Sequence, residues 1–243
     1  IWLLGLLGVS IYFMLQHIGL DVTTTVNSSI LIATNPIFTM FLSAKLFRQE
    51  ELTYGGIFGA LLAFFGVFLI FTGGKGISIG RNTLFGDLLM LLNSLVWALF
   101  SVLGKDVVDK YDPFVVMAYA YLYGTITMLP FAFTPGFAAS LKAASITTWA
   151  AVIYLALFCS VYSYYMWYRG IRALGASRTA MFNYINPVIA VIIGIVFLKE
   201  AWNLFTIIGG ALVFVGVYIT SGSNGILRKR KSQNSTLKQG AYK

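Results

Sequence analysis

Residues 57–71 read IFGALLAFFGVFLIF, a run without a single charged or polar side chain. A helix that is apolar on every side has no face for water, so it belongs in a large core or in lipid. A strand of an outer-membrane barrel would instead alternate polar and apolar residues over about 10 positions. This stretch therefore predicts a transmembrane helix.

The rest of the chain has the same character. Of its 243 residues, 58% are hydrophobic and 10% are charged, whereas soluble domains have about 45–50% apolar and about 25% charged residues. A helical span needs about 20 apolar residues. The apolar runs between charge clusters predict eight spans, at 1–20, 24–47, 53–72, 84–104, 114–133, 147–168, 179–198 and 202–220. We expect an all-α fold, a polytopic membrane helix bundle.

The composition also excludes several classes of function. The single cysteine, Cys159, lies in an apolar run and excludes a disulfide framework or a thiolate metal cluster. One histidine and eight acidic residues leave few metal ligands, so we expect no metal, no cofactor and no enzyme. The net charge of +9 is assigned to membrane sidedness rather than to a nucleic-acid groove. The expected partners are the lipid bilayer and a small-molecule substrate.

Lysine and arginine accumulate on cytoplasmic loops of membrane proteins. When the loops alternate sides through eight spans, 13 of the 17 basic residues fall on one side. That assignment predicts a multi-pass protein of the cytoplasmic (plasma) membrane with both chain ends inside. Residues 222–243 then form a polar, basic cytoplasmic tail, whose run Arg228 to Lys231 anchors on anionic headgroups.

The sequence contains an internal repeat. Asn35-Pro36 recurs 151 residues later as Asn186-Pro187. Four further elements recur at an offset of 150, namely Phe47, Glu50, Gly59 and Gly66-Val67 as Phe197, Glu200, Gly209 and Gly216-Val217. The copies are five spans apart, an odd number, so equivalent residues face opposite sides of the membrane. This is the signature of an inverted-topology repeat.

The two copies differ in extent. The second, residues 84–221, is a complete five-helix repeat, and it begins with two spans before the equivalent of Ile1. The first, residues 1–74, lacks its first two helices. We therefore expect eight spans of a total of ten, with about 65 further residues upstream of a truncated start.

The repeated pattern of Asn-Pro, Phe-x-x-Glu, Gly and Gly-Val, together with Leu174 to Arg178, resembles the EamA-type carriers of the drug/metabolite transporter superfamily. The resemblance implies ten helices in two inverted five-helix repeats around a central cavity, of which this chain would supply the third to the tenth. One departure is Asn186, which stands where many members carry an acid before the proline. A carboxylate role at that position is therefore not implied.

Polar residues inside the spans are candidates for a substrate pathway, because an unpartnered amide in lipid costs several kcal/mol. Proline removes a backbone donor, so Pro36 and Pro187 predict hinges, and paired breaks point to a binding site at the repeat interface. A packing kink satisfied by neighbouring hydroxyls is the alternative. The candidate pathway residues are Asn27, Asn35, Asn93, Trp97, Tyr119, Tyr123, Tyr162, Asn183 and Asn186.

Other features have two interpretations. The acids Asp21, Glu50, Asp87 and Glu200 fall at span ends, so no proton relay stands out, and exchange or facilitated diffusion is as well supported as proton antiport. Arg169, Arg172 and Arg178 either determine topology or attract an anionic substrate. Tyr218 is assigned to the membrane interface.

Small residues predict close helix packing in the third and eighth spans, at Gly59, Gly66, Gly209 and Gly216. Pairing of these two helices within one chain is the simpler interpretation, and a homodimer contact is the other. The protein is expected to be a monomer or a homodimer.

Together these patterns predict a transporter, an exporter or exchanger of small metabolites such as amino acids, amines or drug-like compounds, working by alternating access. The alternative is a non-transporting membrane scaffold or assembly factor on the same fold.

Overall fold

The structure is a computed structural model that describes residues 1–73, 83–133, 143–197 and 204–240, with backbone alone after residue 222. These residues form helices and contain no strand. Eight helices are long and apolar enough to cross a membrane, which confirms the all-α polytopic bundle. They are α1 (Trp2–Val22), α2 (Thr25–Leu46), α3 (Tyr54–Thr72), α4 (Leu84–Val108), α5 (Pro113–Phe131), α6 (Ile146–Leu174), α7 (Ala176–Phe197) and α8 (Leu204–Gly240).

The helix ends agree with the sequence predictions to within a few residues, with two exceptions. Helix α6 continues six residues past the predicted end at residue 168, because its last two turns are an amphipathic segment rather than an apolar one. The backbone of α8 stays helical to Gly240, through most of the segment predicted as a polar tail. Glu200, the repeat equivalent of Glu50, lies outside the described residues.

Local capping explains several of the helix boundaries. Side-chain oxygens of Thr24, Thr53, Asp112 and Ser145 accept hydrogen bonds from the first backbone N–H groups of α2, α3, α5 and α6. Gly175 separates α6 from α7 with φ +96°, a conformation that glycine adopts without steric cost. The chain can therefore turn sharply between two long helices with a single residue.

Helices α3 and α8 cross at their glycines. Gly59 lies against Gly216, and Gly66 lies against Gly209, so closely that a Cβ on any of the four would meet backbone of the other helix. The contact is reciprocal under the repeat, because Gly209 is the equivalent of Gly59 and Gly216 is the equivalent of Gly66. Such reciprocity is what a two-fold relation between two halves produces. The four glycines thus form a helix–helix contact within one chain.

Irregular turns also recur between the copies. Helix α2 is interrupted at Ala33 and Thr34, directly before Asn35-Pro36. Helix α7 passes through a 3₁₀ turn at Phe182–Tyr184, which ends one residue before Asn186-Pro187. The π-helical turns Leu6–Ile11 in α1 and Leu155–Tyr162 in α6 overlap under the 150-residue offset. Turns of this kind occur frequently at functional sites. The Asn-Pro breaks were predicted from sequence, whereas the π-helical turns were not.

Helix α4 occupies the middle of the bundle. Half of its apolar window is buried, more than in any other span among the described residues. It packs against α1 and α2 on one side and against α6 on the other. Residues 146–159 of α6, by contrast, are all exposed. The polar side chains of α4 are therefore those most enclosed by neighbouring helices.

Candidate functional site

A group of polar side chains lies where α4 packs against α1 and α2. We call it the polar seam, and its members are Thr23, Asn27, Thr34, Asn35, Asp87, Asn93 and Ser94. Its three asparagines are at most 2% exposed. Since buried polar groups need hydrogen-bond partners, the seam is held together by the bonds that its members make.

The first part of the seam is centred on a carboxylate. Asp87, in the first turn of α4, accepts hydrogen bonds from the Asn27 amide at 3.1 Å to Oδ1 and 3.3 Å to Oδ2. It also accepts one from the hydroxyl of Thr23. Within the described parts of the chain, no lysine or arginine forms an ion pair with it. The carboxylate of Asp87 thus lies in a membrane span and is stabilised by neutral hydrogen-bond donors.

The middle of the seam contains the first Asn-Pro break. Pro36 has no N–H, so the carbonyl of Ile32 one turn earlier lacks its helical donor. The hydroxyl of Ser94 on α4 approaches that carbonyl at 3.4 Å, and the Asn35 amide donates to the Ser94 carbonyl at 3.1 Å. The hydroxyls of Ser94 and Thr34 are 2.9 Å apart. Helix α4 therefore supplies partners for the Ile32 carbonyl and for the Asn35 side-chain N–H, whereas the Asn35 Oδ1 is buried without a partner among the described residues.

Aromatic rings lie beside the seam, around Trp97 of α4. Its ring centroid is 4.7 Å from that of Tyr12, 5.3 Å from Tyr164 and 5.5 Å from Trp167. Asn93, one turn before Trp97, donates to the Tyr12 carbonyl at 2.6 Å. Amides and aromatic faces thus share this part of α4, a combination suited to a small polar ligand.

The structure brings four of the predicted pathway residues to this region: Asn27, Asn35, Asn93 and Trp97. It does not bring the other five there. Tyr119 and Tyr162 are 47% and 55% exposed, and Asn186 is also exposed, whereas Tyr123 and Asn183 are half-buried. Of the two predicted hinges, Pro36 is buried and Pro187 is half-buried.

Helical phase explains the position of Tyr162. The buried face of α6 carries Tyr164, Tyr168 and Ile171, which repeat at intervals of three and four residues. Two residues before Tyr164, the side chain of Tyr162 points to a different face. The buried aromatic residues of α6 are therefore Tyr164 and Tyr168, which were not among the predicted pathway residues.

Several residues of this region were not predicted from the sequence, among them Ser94, Tyr12 and Asp87. Ser94 directly follows Asn93, and Tyr12 is the repeat equivalent of Tyr162, so both had a signal in the sequence. Asp87 was assigned to a span end without a partner. Its bonds to Thr23 and Asn27 join residues at least 60 positions apart, which no local pattern reveals.

The Phe-x-x-Glu motif connects the two copies at the other end of the bundle. The Glu50 carboxylate accepts a hydrogen bond from the backbone N–H of Ser177 at 3.3 Å. A Cβ at Gly175 would collide with this carboxylate. Glycine is thus required there for both its φ and its lack of a side chain. The loop after α2 is in this way fixed to the start of α7.

No set of three His, Cys, Asp or Glu side chains among the described residues is arranged to hold a metal ion. The site offers amides, hydroxyls, aromatic faces and one carboxylate. Such groups bind polar molecules by hydrogen bonds and charge.

Several known proteins are similar to this chain. An uncharacterized transporter of Archaeoglobus fulgidus is 35% identical over 90% of this chain and 74% of its own length. The uncharacterized transporter YyaM of Bacillus subtilis is 30% identical over 96% of this chain and 76% of its own length. A protein of Streptantibioticus cattleyicolor named "Probable terminal-alkyne amino-acid exporter" is 28% identical over 89% of this chain and 71% of its own length.

A solved crystal structure superposes with a TM-score of 0.77 at 18% identity, over 93% of this chain and 77% of the other, and this likeness shows the fold alone. The family model described as EamA-like transporter family matches residues 1–72 and 84–222. With that match across both copies, and with relatives named as transporters, the chain belongs to the EamA-like transporter family.

Proposed function

We propose that this protein moves small polar metabolites with an amino group, such as amino acids or amines, across the cytoplasmic membrane as an exporter or exchanger. The observation that carries the proposal is the pair of helix breaks in α2 and α7, each ending within one residue of an Asn-Pro at equivalent repeat positions. Interrupted helices in corresponding places of two inverted halves are typical of carriers that work by alternating access.

The polar seam supports an amine as the substrate group. Asp87 supplies a negative charge that no described cation neutralises, and Asn27, Asn35 and Asn93 supply amides nearby along α2 and α4. An ammonium group binds a carboxylate by charge-assisted hydrogen bonds, which are stronger than neutral ones. The relative named as an amino-acid exporter agrees with this substrate class.

The second half supplies the opposite wall in this proposal. Asn186 is exposed and Asn183 is half-buried beside Pro187 on α7. An amide exposed at membrane depth is tolerated where it faces water or another polar group rather than lipid. We therefore assign Asn183 and Asn186, with Tyr119, Tyr123 and Tyr162, to a water-accessible pathway on this side.

Orientation follows from the charge distribution. Basic residues lie in or within three residues of the connection from α2 to α3 and the connection from α6 to α7, namely Lys45, Arg48, Arg172 and Arg178. By the positive-inside rule both connections belong in the cytoplasm, and so does the end of α8. The seam end that contains Asp87 then faces the outside.

Reconstitution into liposomes tests the proposal. Purified protein in vesicles preloaded with unlabelled amino acids or amines should exchange them for radiolabelled external substrate. An Asn27→Ala variant should exchange the same substrate more slowly when equal amounts of protein are incorporated. Lys110→Gln, which changes an exposed residue in the connection after α4, is the control. If no compound in a broad panel is exchanged and none raises the melting temperature, the non-transporting scaffold becomes the better assignment.

A further inference from the structure

A cleft of about 830 Å³ opens at the end of the bundle where the loop after α2 meets the turn between α6 and α7. Both copies of the repeat and the end of α4 contribute to its walls. Five basic side chains line it: Lys45, Arg48, Lys105, Arg172 and Arg178. Two carboxylates, those of Glu50 and Glu51, are the acids in the lining.

Few of these charges are neutralised inside the cleft. Lys105 forms an ion pair with Asp109 at 2.8 Å. The carboxylate of Glu50 is directed to the Ser177 backbone N–H. Arg48, Arg172 and Arg178 form no ion pair with any described residue. Three guanidinium groups therefore line one space together with two carboxylates, and none of the three forms an ion pair within the described part of the chain.

The loop that supplies part of this wall is held in place. The Gln49 side-chain amide donates to the Val102 carbonyl at 3.1 Å and to the Asp106 carboxylate at 2.9 Å, both on α4. Between Phe47 and Gln49, Arg48 adopts φ +53°, the one positive φ at a described residue other than glycine. Non-glycine residues in that region are uncommon and cluster at functional sites. The basic wall is thus fixed by contacts to α4.

We propose that this cleft is a binding site for an anion that carries phosphate or carboxylate groups. Its volume lies within the range of small-molecule sites, and guanidinium groups bind phosphate and carboxylate through paired N–H donors. The source of the anion is either the headgroup of an acidic phospholipid or a free metabolite in solution. Basic pockets between membrane helices on the predicted cytoplasmic side bind acidic headgroups.

The positive-inside rule alone does not account for this arrangement. That rule requires basic residues in a loop, and Lys110 satisfies it from an exposed position outside the cleft lining. It does not require that basic residues from the ends of α2, α4, α6 and α7 converge on one cavity. The cleft shares no residue with the polar seam.

Thermal unfolding of the purified protein in a neutral detergent tests the site. One arm titrates inorganic phosphate and citrate at constant ionic strength, and the other titrates phosphatidylglycerol against phosphatidylcholine. We expect a saturable rise in melting temperature in at least one arm, because a ligand that binds only the folded state stabilises it. Arg178→Gln and Arg172→Gln should each weaken the apparent affinity about tenfold, the loss expected for one hydrogen bond to a charged group.

Lys110→Gln is the matched control, since it removes one positive charge at the same end of the bundle. It should leave the apparent affinity unchanged. A response in the phosphatidylglycerol arm alone identifies a lipid site, and a response to phosphate or citrate identifies a site for a soluble anion. The proposal would be overturned if Lys110→Gln weakened the apparent affinity as much as the arginine variants do. It would also be overturned if neither arm gave a saturable rise in melting temperature. Arg172→Gln, on the exposed end of α6, keeps the test valid if Arg178→Gln impairs folding.

Discussion

The two Asn-Pro breaks share a motif but have different surroundings. At the first, Asn35 is 2% exposed and bonded to the Ser94 carbonyl of α4. At the second, Asn186 is exposed. Both interrupt a helix at equivalent repeat positions. The repeated sequence therefore determines the backbone break, and the neighbouring helix determines whether the polar groups at the break are satisfied.

The difference has a consequence for function. A carrier that works by alternating access moves one repeat against the other around a fixed site, so that the site opens to one side of the membrane at a time. In the present structure α4 covers the first break, and none of the described helices covers the amide of the second. Variants that act on one break and leave the other unchanged can test whether this asymmetry matters.

The largest effect is expected at the contact that relates the two halves. Gly209→Leu should lower the free energy of unfolding by about 3 kcal/mol or more. A Cβ there meets the Gly66 carbonyl of α3, and overpacking that shifts side chains and backbone typically costs about 1–3 kcal/mol, occasionally more. Thermal unfolding of the detergent-solubilised protein measures it.

Gly210→Leu is the control for that variant. The nearest atom to a Cβ at Gly210 is the Val188 Cγ1, at 3.8 Å, which is an ordinary contact. The same substitution one residue away should therefore change the melting temperature little. Similar losses for the two variants would show that the glycine contact does not hold the halves together.

The second prediction concerns the charge beside the first break. Asp87→Asn should reduce exchange of an amine substrate at least about tenfold, because a hydrogen bond to a charged group contributes about 1.5–3 kcal/mol. The asparagine keeps an oxygen that can accept from Asn27, so the fold should persist. Asp109→Asn, at an acid that is 46% exposed, provides the comparison. If Asp87→Asn exchanges the amine at the wild-type rate, the Asp87 carboxylate does not bind the substrate.

The third prediction compares the two breaks directly. Asn35→Ala should lower the free energy of unfolding by about 1 kcal/mol, since it removes a buried hydrogen bond to Ser94. Asn186→Ala should leave stability nearly unchanged, because its side chain is exposed. It should nevertheless slow exchange by about two- to tenfold, the effect of losing one neutral hydrogen bond to substrate.

Parallel measurements of melting temperature and exchange at matched incorporation decide this comparison. If Asn186→Ala destabilises the protein as much as Asn35→Ala does, the two breaks are equally enclosed. If it exchanges at the wild-type rate, its Asn-Pro break is a packing kink and no part of a pathway.

The smallest effect is expected at the membrane interface. Tyr218 is 80% exposed on α8, and its repeat equivalent, Phe68 of α3, lacks a hydroxyl. Tyr218→Phe should therefore change neither the melting temperature nor the exchange rate measurably. A clear loss of exchange would place α8 in the pathway and contradict its assignment as an interfacial anchor.

Much of the architecture could be predicted from the sequence because its causes are local. The apolar run 57–71 requires a helix in lipid, and Pro36 and Pro187 lack the donor that a continuous helix needs at those positions. The 150-residue repeat then predicts that Gly59 and Gly66 recur as Gly209 and Gly216. Hydropathy, proline and repeat spacing are properties of the chain that do not depend on which helices become neighbours.

The polar contacts depended on tertiary structure. Asp87 is a span-end acid in the sequence, and only the packing of α4 against α1 and α2 brings it to Thr23 and Asn27. Tyr12 and Tyr162 are repeat equivalents, yet Tyr12 contacts Trp97 and Tyr162 is 55% exposed. The phase of a helix and the identity of its neighbour decide such differences.

The amino-acid sequence by itself therefore determined the number of spans, the inverted repeat and the position of each helix break, because these follow from hydrophobicity, backbone donors and spacing along one chain. The tertiary structure decided which amides are paired, where a carboxylate is enclosed and where Arg48, Arg172 and Arg178 converge on one cleft. Those outcomes join residues many positions apart, and hydrogen bonds and charges act only over the few ångströms that packing sets.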